Sequence, residues 1–148
     1  MHPEEPDPAD SLGGGLTTQE VIAAAEFRAA LRRFLRSNER TARDVGLTPQ
    51  RYLLLLMIKG TPDGSEESSV NELAERLQLA QSTVTELVMR AEDSGLVERR
   101  RSDEDLRYVH IRLTPEGERR LALAFTAIGT ERRDLTNTVL HLGAVSYP

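Results

Sequence analysis

Between residues 69 and 117 the apolar spacing changes from helical to alternating and back, and few folds accommodate that order. Val70, Leu73, Ala74 and Leu77 recur at helical spacing, as do Val84, Leu87, Val88 and Ala91, with Gln78 to Ala80 as the turn between them. Ser69 with Glu72 three residues on forms a capping box, each side chain satisfying an otherwise orphan backbone donor. Gly95 stops the second helix, since glycine reaches the left-handed backbone region cheaply. From Val97 a strand begins; Val109, Ile111 and Leu113 alternate with Tyr108, His110 and Arg112, the signature of a half-buried strand. The intervening ERRRSDEDLR is polar and rich in turn formers. Thr114 and Pro115 then open a further helix as N-cap and first-turn proline. Two helices at a tight turn followed by a charged hairpin make a helix-turn-helix with a wing, an arrangement suited to gripping a DNA duplex.

The outward face of the second helix carries Gln81, Ser82, Thr85, Glu86 and Met89, with Thr83 and Arg90 on its flanks. Short hydroxyl and amide side chains let a backbone approach base edges and phosphates closely. The same residues also suit a surface helix whose hydroxyls cap its first turn. Arg99, Arg100, Arg101 and Arg107 flank the hairpin tip, where they can reach phosphates or a minor groove. Glu98, Asp103, Glu104 and Asp105 cancel that charge locally, which is also what a solvated turn would show.

The segment resembles the winged helix-turn-helix of the MarR family of bacterial transcription regulators, and the resemblance covers about residues 20 to 142. Leu47 to Lys59 is similar to the family's second helix, and Asn71 to Leu77 to its first helix-turn-helix helix. Ser82-Thr83-Val84-Thr85 with Leu87-Val88 resembles the recognition helix. Gly95-Leu96-Val97, then Asp103 with Asp105-Leu106-Arg107, and Leu113-Thr114-Pro115-Glu116-Gly117 resemble the wing and its exit. The resemblance implies recognition-helix contacts at Gln81, Ser82, Thr83, Thr85 and Arg90. It implies wing contacts at Arg99, Arg100, Arg101 and Arg107, with Asp105 as the acidic partner of Arg107. The chain departs from the family at Glu86, a position commonly basic, and at Leu106, in the middle of a frequent D-R-R element.

A length of 148 residues suits one domain with a sizeable core, and the net charge of −5 alone argues against a nucleic-acid partner. Distribution counts for more than the sum. Glu4, Glu5, Asp7 and Asp10 place acidity in an N-terminal tail, and more lies between Asp63 and Glu67. Cysteine is absent, which removes disulfides, thiolate metal sites, catalytic thiols and cysteine-based peroxide sensing together. His2, His110 and His141 have no ligand-like spacing, so no metal and no cofactor are expected. Neither paired carboxylates, a nucleophile-base set nor a phosphate loop appears, and an enzyme is not expected. With no apolar run of membrane-spanning length and no signal segment, the expectation is a cytoplasmic protein that does not meet a membrane.

The reading is thus a mainly α fold with a small β-wing: a winged helix-turn-helix with long N- and C-terminal dimerisation helices. Residues 1–16, with three prolines and Gly13-Gly14-Gly15, read as a flexible tail, and 17–148 as a single domain. Within it, 17–46 and 115–142 are assigned to dimerisation and 47–114 to the DNA-binding lobe. Thr17 and Glu20 form a second capping box, and Ile22, Ala25, Phe27, Leu31, Phe34, Leu35 and Ala42 line the first helix. Arg28, Arg32, Arg36 and Arg40 run alongside as a basic row that also suits a solvated face. Gly129 divides or bends the C-terminal helical run. The end helices carry more apolar surface than a winged helix needs. A second copy covers it economically, and the resemblance implies the same homodimer.

The expected activity is that of a sequence-specific double-stranded DNA-binding transcriptional regulator, a ligand-responsive repressor on a pseudo-palindromic operator. A small aromatic or anionic effector is implied by the family, with Phe27, Arg28, Phe34, Tyr52, Met57 and Lys59 as the candidate residues. The alternative is a winged-helix protein-interaction module that has lost or weakened DNA binding.

Overall fold

Capping side chains set most of the helix boundaries. The computed structural model of the chain describes residues 11–12 and 15–143. Residues 1–10, which make up most of the expected tail, and Gly13, Gly14 and 144–148 lie outside the described residues. In chain order the elements are β1 (Ser11–Leu12), β2 (Leu16–Thr17), α1 (Thr18–Asp44), α2 (Pro49–Lys59), β3 (Glu67–Ser68), α3 (Val70–Leu77), α4 (Gln81–Asp93), β4 (Val97–Arg101), β5 (Val109–Leu113), α5 (Pro115–Ala127) and α6 (Gly129–Gly143). They form two compact units, Asn38–Ile128 and a second made of Met1–Ser37 with Gly129–Pro148. Among the described residues no helix is long and apolar enough to cross a membrane.

The unit from Asn38 to Ile128 is the winged helix. Thr48 caps α2 by accepting from the Arg51 amide, with Pro49 in the first turn. At the head of α3 both halves of the expected capping box form: Ser69 Oγ accepts from the Glu72 amide and Glu72 from the Ser69 amide. Gln78 closes α3 in the left-handed conformation at φ 57°, and this tight stop sets the turn into α4. Gly95, at φ +72°, follows α4 as expected. Thr114 caps α5 by accepting from the Gly117 amide.

The core of this unit is the buried face of α2, Tyr52, Leu54, Leu55 and Ile58, packed with Leu73, Val84, Val88, Ile111 and Leu121. Each such Leu, Ile or Val removed from water contributes roughly 1.5–3 kcal/mol, so α2 is the element on which the reading helix and wing are mounted. A backbone-level contact locks α5 beneath the sheet: a Cβ added at Gly117 would collide with the Leu96 carbonyl oxygen.

The sheet has three strands in the order β3-β5-β4, all antiparallel. The acidic segment between α2 and α3 therefore ends in a strand, Glu67 pairing with Arg112 and Ser68 with Ile111. Ser68 is fully buried, its hydroxyl 3.0 Å from that of Thr61. Of the alternating set on β5, Ile111 and Leu113 are buried while Val109 is exposed. Val109 pairs with Arg101 at the outer end of the hairpin, beyond the part of the strand that lies on the core.

In the second unit β1 pairs with β2, Ser11 opposite Thr17 and Leu12 opposite Leu16. Thr17 and Glu20 form the reciprocal cap of α1, with the Thr17 amide 2.7 Å from Glu20 Oε2 and the Glu20 amide 3.2 Å from Thr17 Oγ1. Ala23, Ala30 and Leu142 are buried here, and Ser37 Oγ donates to Glu131 Oε1 at 3.2 Å between α1 and α6. Val21, Ile22, Phe27, Leu35, Val139 and Leu140 are exposed. The helical run does divide at Gly129, where α6 starts after the C-cap Ile128 of α5.

Candidate nucleic-acid interface

α4 faces outward with a surface that is polar at its start and mixed further along. Gln81, Ser82, Thr83, Glu86, Met89 and Arg90 are exposed and Thr85 is half-buried, while Val84, Leu87, Val88 and Ala91 are buried on the opposite face. The helix is thus anchored along one side and free along the other. Its N-cap, Ala80, offers no side-chain acceptor, so the amides of the first turn keep their capacity for a phosphate oxygen. Thr85 Oγ1 donates to the Gln81 carbonyl at 2.9 Å, which turns its hydroxyl back on the helix. Glu86 and Arg90 form an ion pair one turn apart.

Two arginines that the motifs did not single out hold this lobe in shape. Arg76 donates to the Met57 carbonyl at 2.6 Å and the Gly60 carbonyl at 3.1 Å, pinning α3 to the end of α2. Arg120 donates to the Val45 carbonyl at 2.9 Å and to Glu116 at 2.8 Å. A side chain reaching a distant main-chain carbonyl leaves no spacing signal. By contrast, Arg112 with Glu98, at 2.6 Å, follows from hairpin register, since the two stand directly opposite on β5 and β4.

The wing arginines are not equivalent. Arg99 pairs with Glu92 of α4 at 3.1 Å, and Arg100 with Asp103 at 3.1 Å and Glu67 at 3.5 Å. Arg107 folds back on Asp105 at 2.8 Å. Only Arg101 has no carboxylate partner among the described residues of the wing. These pairs are exposed and screened by water, so a phosphate can compete for the guanidinium at little cost. Hydrogen bonds from Arg107 lower the Asp105 carboxyl below its ordinary value, and Asp105 in turn raises Arg107.

Asp105 also builds the wing tip. Its backbone carbonyl accepts from the Tyr108 amide at 3.0 Å and its Oδ1 from the Arg107 amide at 3.0 Å. Ser102 closes the loop from the other side, its amide donating to the Tyr108 carbonyl at 2.9 Å and its Oγ accepting from the Glu104 and Asp105 amides.

The six residues considered for an effector fall on both compact units. Phe27 and Arg28 are exposed and Phe34 half-buried on the unit containing the start of α1. On the winged-helix unit Tyr52 is part of the core, and Met57 is half-buried, its carbonyl taken by Arg76. Lys59 Nζ lies 2.7 Å from Glu66 and 2.8 Å from Glu118, and these hydrogen bonds raise its pKa, that to Glu118 most. Lys59 also edges an apolar cavity of about 300 Å³ lined by Leu56, Gly60, Leu121, Ala122 and Phe125. Among the described residues no group of histidines and carboxylates is arranged to hold a metal ion.

A sequence model described as MarR family matches residues 45–107, from the loop before α2 to the wing tip. The HTH-type transcriptional regulator YsmB of Bacillus subtilis is 28% identical over 124 residues, 81% of this chain and 82% of that protein. The HTH-type transcriptional regulator TtmR of Methylorubrum extorquens is 37% identical over 111 residues, 75% of this chain but about half, 51%, of TtmR. Among solved structures, mutant MarR from E. coli complexed with operator DNA superposes with a TM-score of 0.65 at 19% identity, covering 86% of this chain and 93% of that one.

Proposed function

Because this winged-helix lobe is that of the MarR family of transcriptional regulators, we propose that the chain binds a specific operator duplex as a homodimer and represses transcription by occupying it. The observation that carries the reading is the pairing of an α4 anchored on one face, with its outer face open, and a wing whose Arg101 is an uncompensated cation. α4 enters a major groove with Gln81, Ser82, Thr83, Thr85 and Arg90 toward bases and phosphates, and the wing follows the backbone into the neighbouring minor groove. The E. coli MarR complex with operator DNA supports this docking by likeness of fold.

The exposed apolar side chains of α1 and α6, among them Leu35 at 50% and Leu140 at 69%, support a second copy as their cover. A two-fold dimer sets half-site centres roughly 34–36 Å apart, and hence a pseudo-palindromic operator. Selection of bound sequences from a random duplex pool, followed by footprinting, tests the reading. A footprint with two-fold symmetry and salt-sensitive affinity is expected; absent or salt-insensitive binding rejects it. Sedimentation at micromolar concentration returning a stable monomer rejects the dimer.

An effector relieves repression by altering the spacing of the two wings. A thermal-shift screen of phenolic and aromatic acids checks this, with Arg28→Ala as the control; an unchanged shift in that variant rejects Arg28 as the anion anchor. A protein-interaction module is the second reading, favoured by the internal pairing of Glu86 with Arg90 and of Asp105 with Arg107. Low-salt duplex binding that is lost in Arg107→Ala and Thr85→Ala decides against it.

A further inference from the structure

The wing tip leads with an aliphatic side chain rather than a cation. Leu106 is 70% exposed, more than any other large apolar residue described, and it occupies the second position of the turn from Asp105 to Tyr108. That turn is closed by hydrogen bonds to one aspartate. Asp105 accepts from the Tyr108 amide, the Arg107 amide and the Arg107 guanidinium together. Ser102 Oγ accepts from the Glu104 and Asp105 amides on the other strand side. Leu106 is therefore carried outward at the apex of a hydrogen-bonded turn.

The charges around it point the same way. Between Arg100 and Arg107 three arginines face three carboxylates, Asp103, Glu104 and Asp105, so the tip carries no net charge. Arg107 itself is bent back onto Asp105. An electrostatic finger is consequently not what the tip offers first. It offers a fixed, protruding isobutyl group flanked by Arg107, with the unpaired Arg101 at the base of the loop. A single aliphatic group is too small for a protein interface, but it matches the gap opened between two base pairs by wedge residues in minor-groove binders.

We propose that Leu106 is a wedge that enters the minor groove and partly unstacks one base step, kinking the operator where the wing lands. The proposal rests on the DNA-binding reading above and deepens it. The apolar side chain leaves water for the space between bases, which offsets part of the unstacking cost. Arg101 and Arg107 straddle the step and neutralise phosphates drawn together by the bend. Pyrimidine–purine steps such as TA or CA unstack most readily, so the operator is expected to carry one of them under each wing.

The test uses the full chain and a duplex recovered by selection, with 2-aminopurine placed in turn at each step of the wing-facing minor groove. Binding is followed by anisotropy, base unstacking by 2-aminopurine emission and bending by end-to-end energy transfer. The wild-type protein is expected to raise emission several-fold at one step in each half-site and to bend the duplex by roughly 20–90°. Leu106→Ala, an exposed change checked for native circular dichroism, is expected to keep the footprint but lose both signals. Leu106→Arg should bind with a salt slope steeper by about one and also leave the step stacked. Wild-type binding with every step stacked overturns the wedge while leaving the DNA reading intact, as does emission that persists in Leu106→Ala. Failure of the wild-type protein to bind any duplex overturns both.

Discussion

Glu86 and Arg90, one turn apart on α4, are each other's ion partners, so the reading helix presents its one guanidinium already paired with a carboxylate of its own outer face. On the operator-binding reading proposed above, Glu86 stands where a basic residue would meet the DNA backbone, and Arg90, one turn along, is the candidate to meet it instead.

Replacing Glu86 by Gln is expected to free Arg90 for a phosphate. Duplex affinity then rises, and the slope of log affinity against log salt steepens by about one. Anisotropy titrations at four or five salt concentrations give both quantities. A shallower slope would mean that Arg90 makes no backbone contact.

Arg101 is expected to give the cleanest phosphate signal of the wing strand arginines, because no internal ion pair is traded for the phosphate. Arg101→Ala should lower the salt slope by about one and weaken binding across all sequences alike. Arg99→Ala, which also releases Glu92, should weaken binding at least as much through the carboxylate it unmasks, yet with a sequence-dependent component from the shifted α4. Equal and negligible effects of both changes would remove the wing strand from the interface.

Gly117→Ala tests the packing of α5 under the sheet. The new methyl meets the Leu96 carbonyl, which is backbone and yields only if β4 or α5 moves. Overpacking of this kind costs about 1–3 kcal/mol. Urea denaturation should show the loss as a lower midpoint; unchanged stability would mean that α5 shifts freely.

Glu116 is held at a pKa of about 2, below its ordinary 4.5, by hydrogen bonds from Arg119 and then Arg120. Its folded pKa is depressed, so its stabilising effect is present above about 4.5 and fades as pH falls toward 2. Glu116→Gln should therefore lie below wild type in urea midpoint at neutral pH and converge with it through that window. Parallel curves down to pH 2 would show that the carboxylate contributes nothing.

Much of the winged helix was legible because its boundaries are set locally. Ser69 with Glu72, Gly95, and Thr114 with Pro115 each act within four residues, and the structure shows every one of those caps or stops. β3 was not legible. Its two residues are polar, and only backbone pairing with β5 makes them a strand. The inequality of the wing arginines was hidden too, because it depends on which carboxylate each guanidinium meets in three dimensions. Alternation placed Val109 with Ile111 and Leu113, but a strand outruns the core it lies on, and its outer end is exposed whatever its period.

Lys59 fastens the acidic loop at Glu66 to the head of α5 at Glu118. An ammonium so engaged is not a vacant socket for an acid. Two of its three N–H donors are taken, one by each segment, so the acidic loop and the helix start share a single cationic tether.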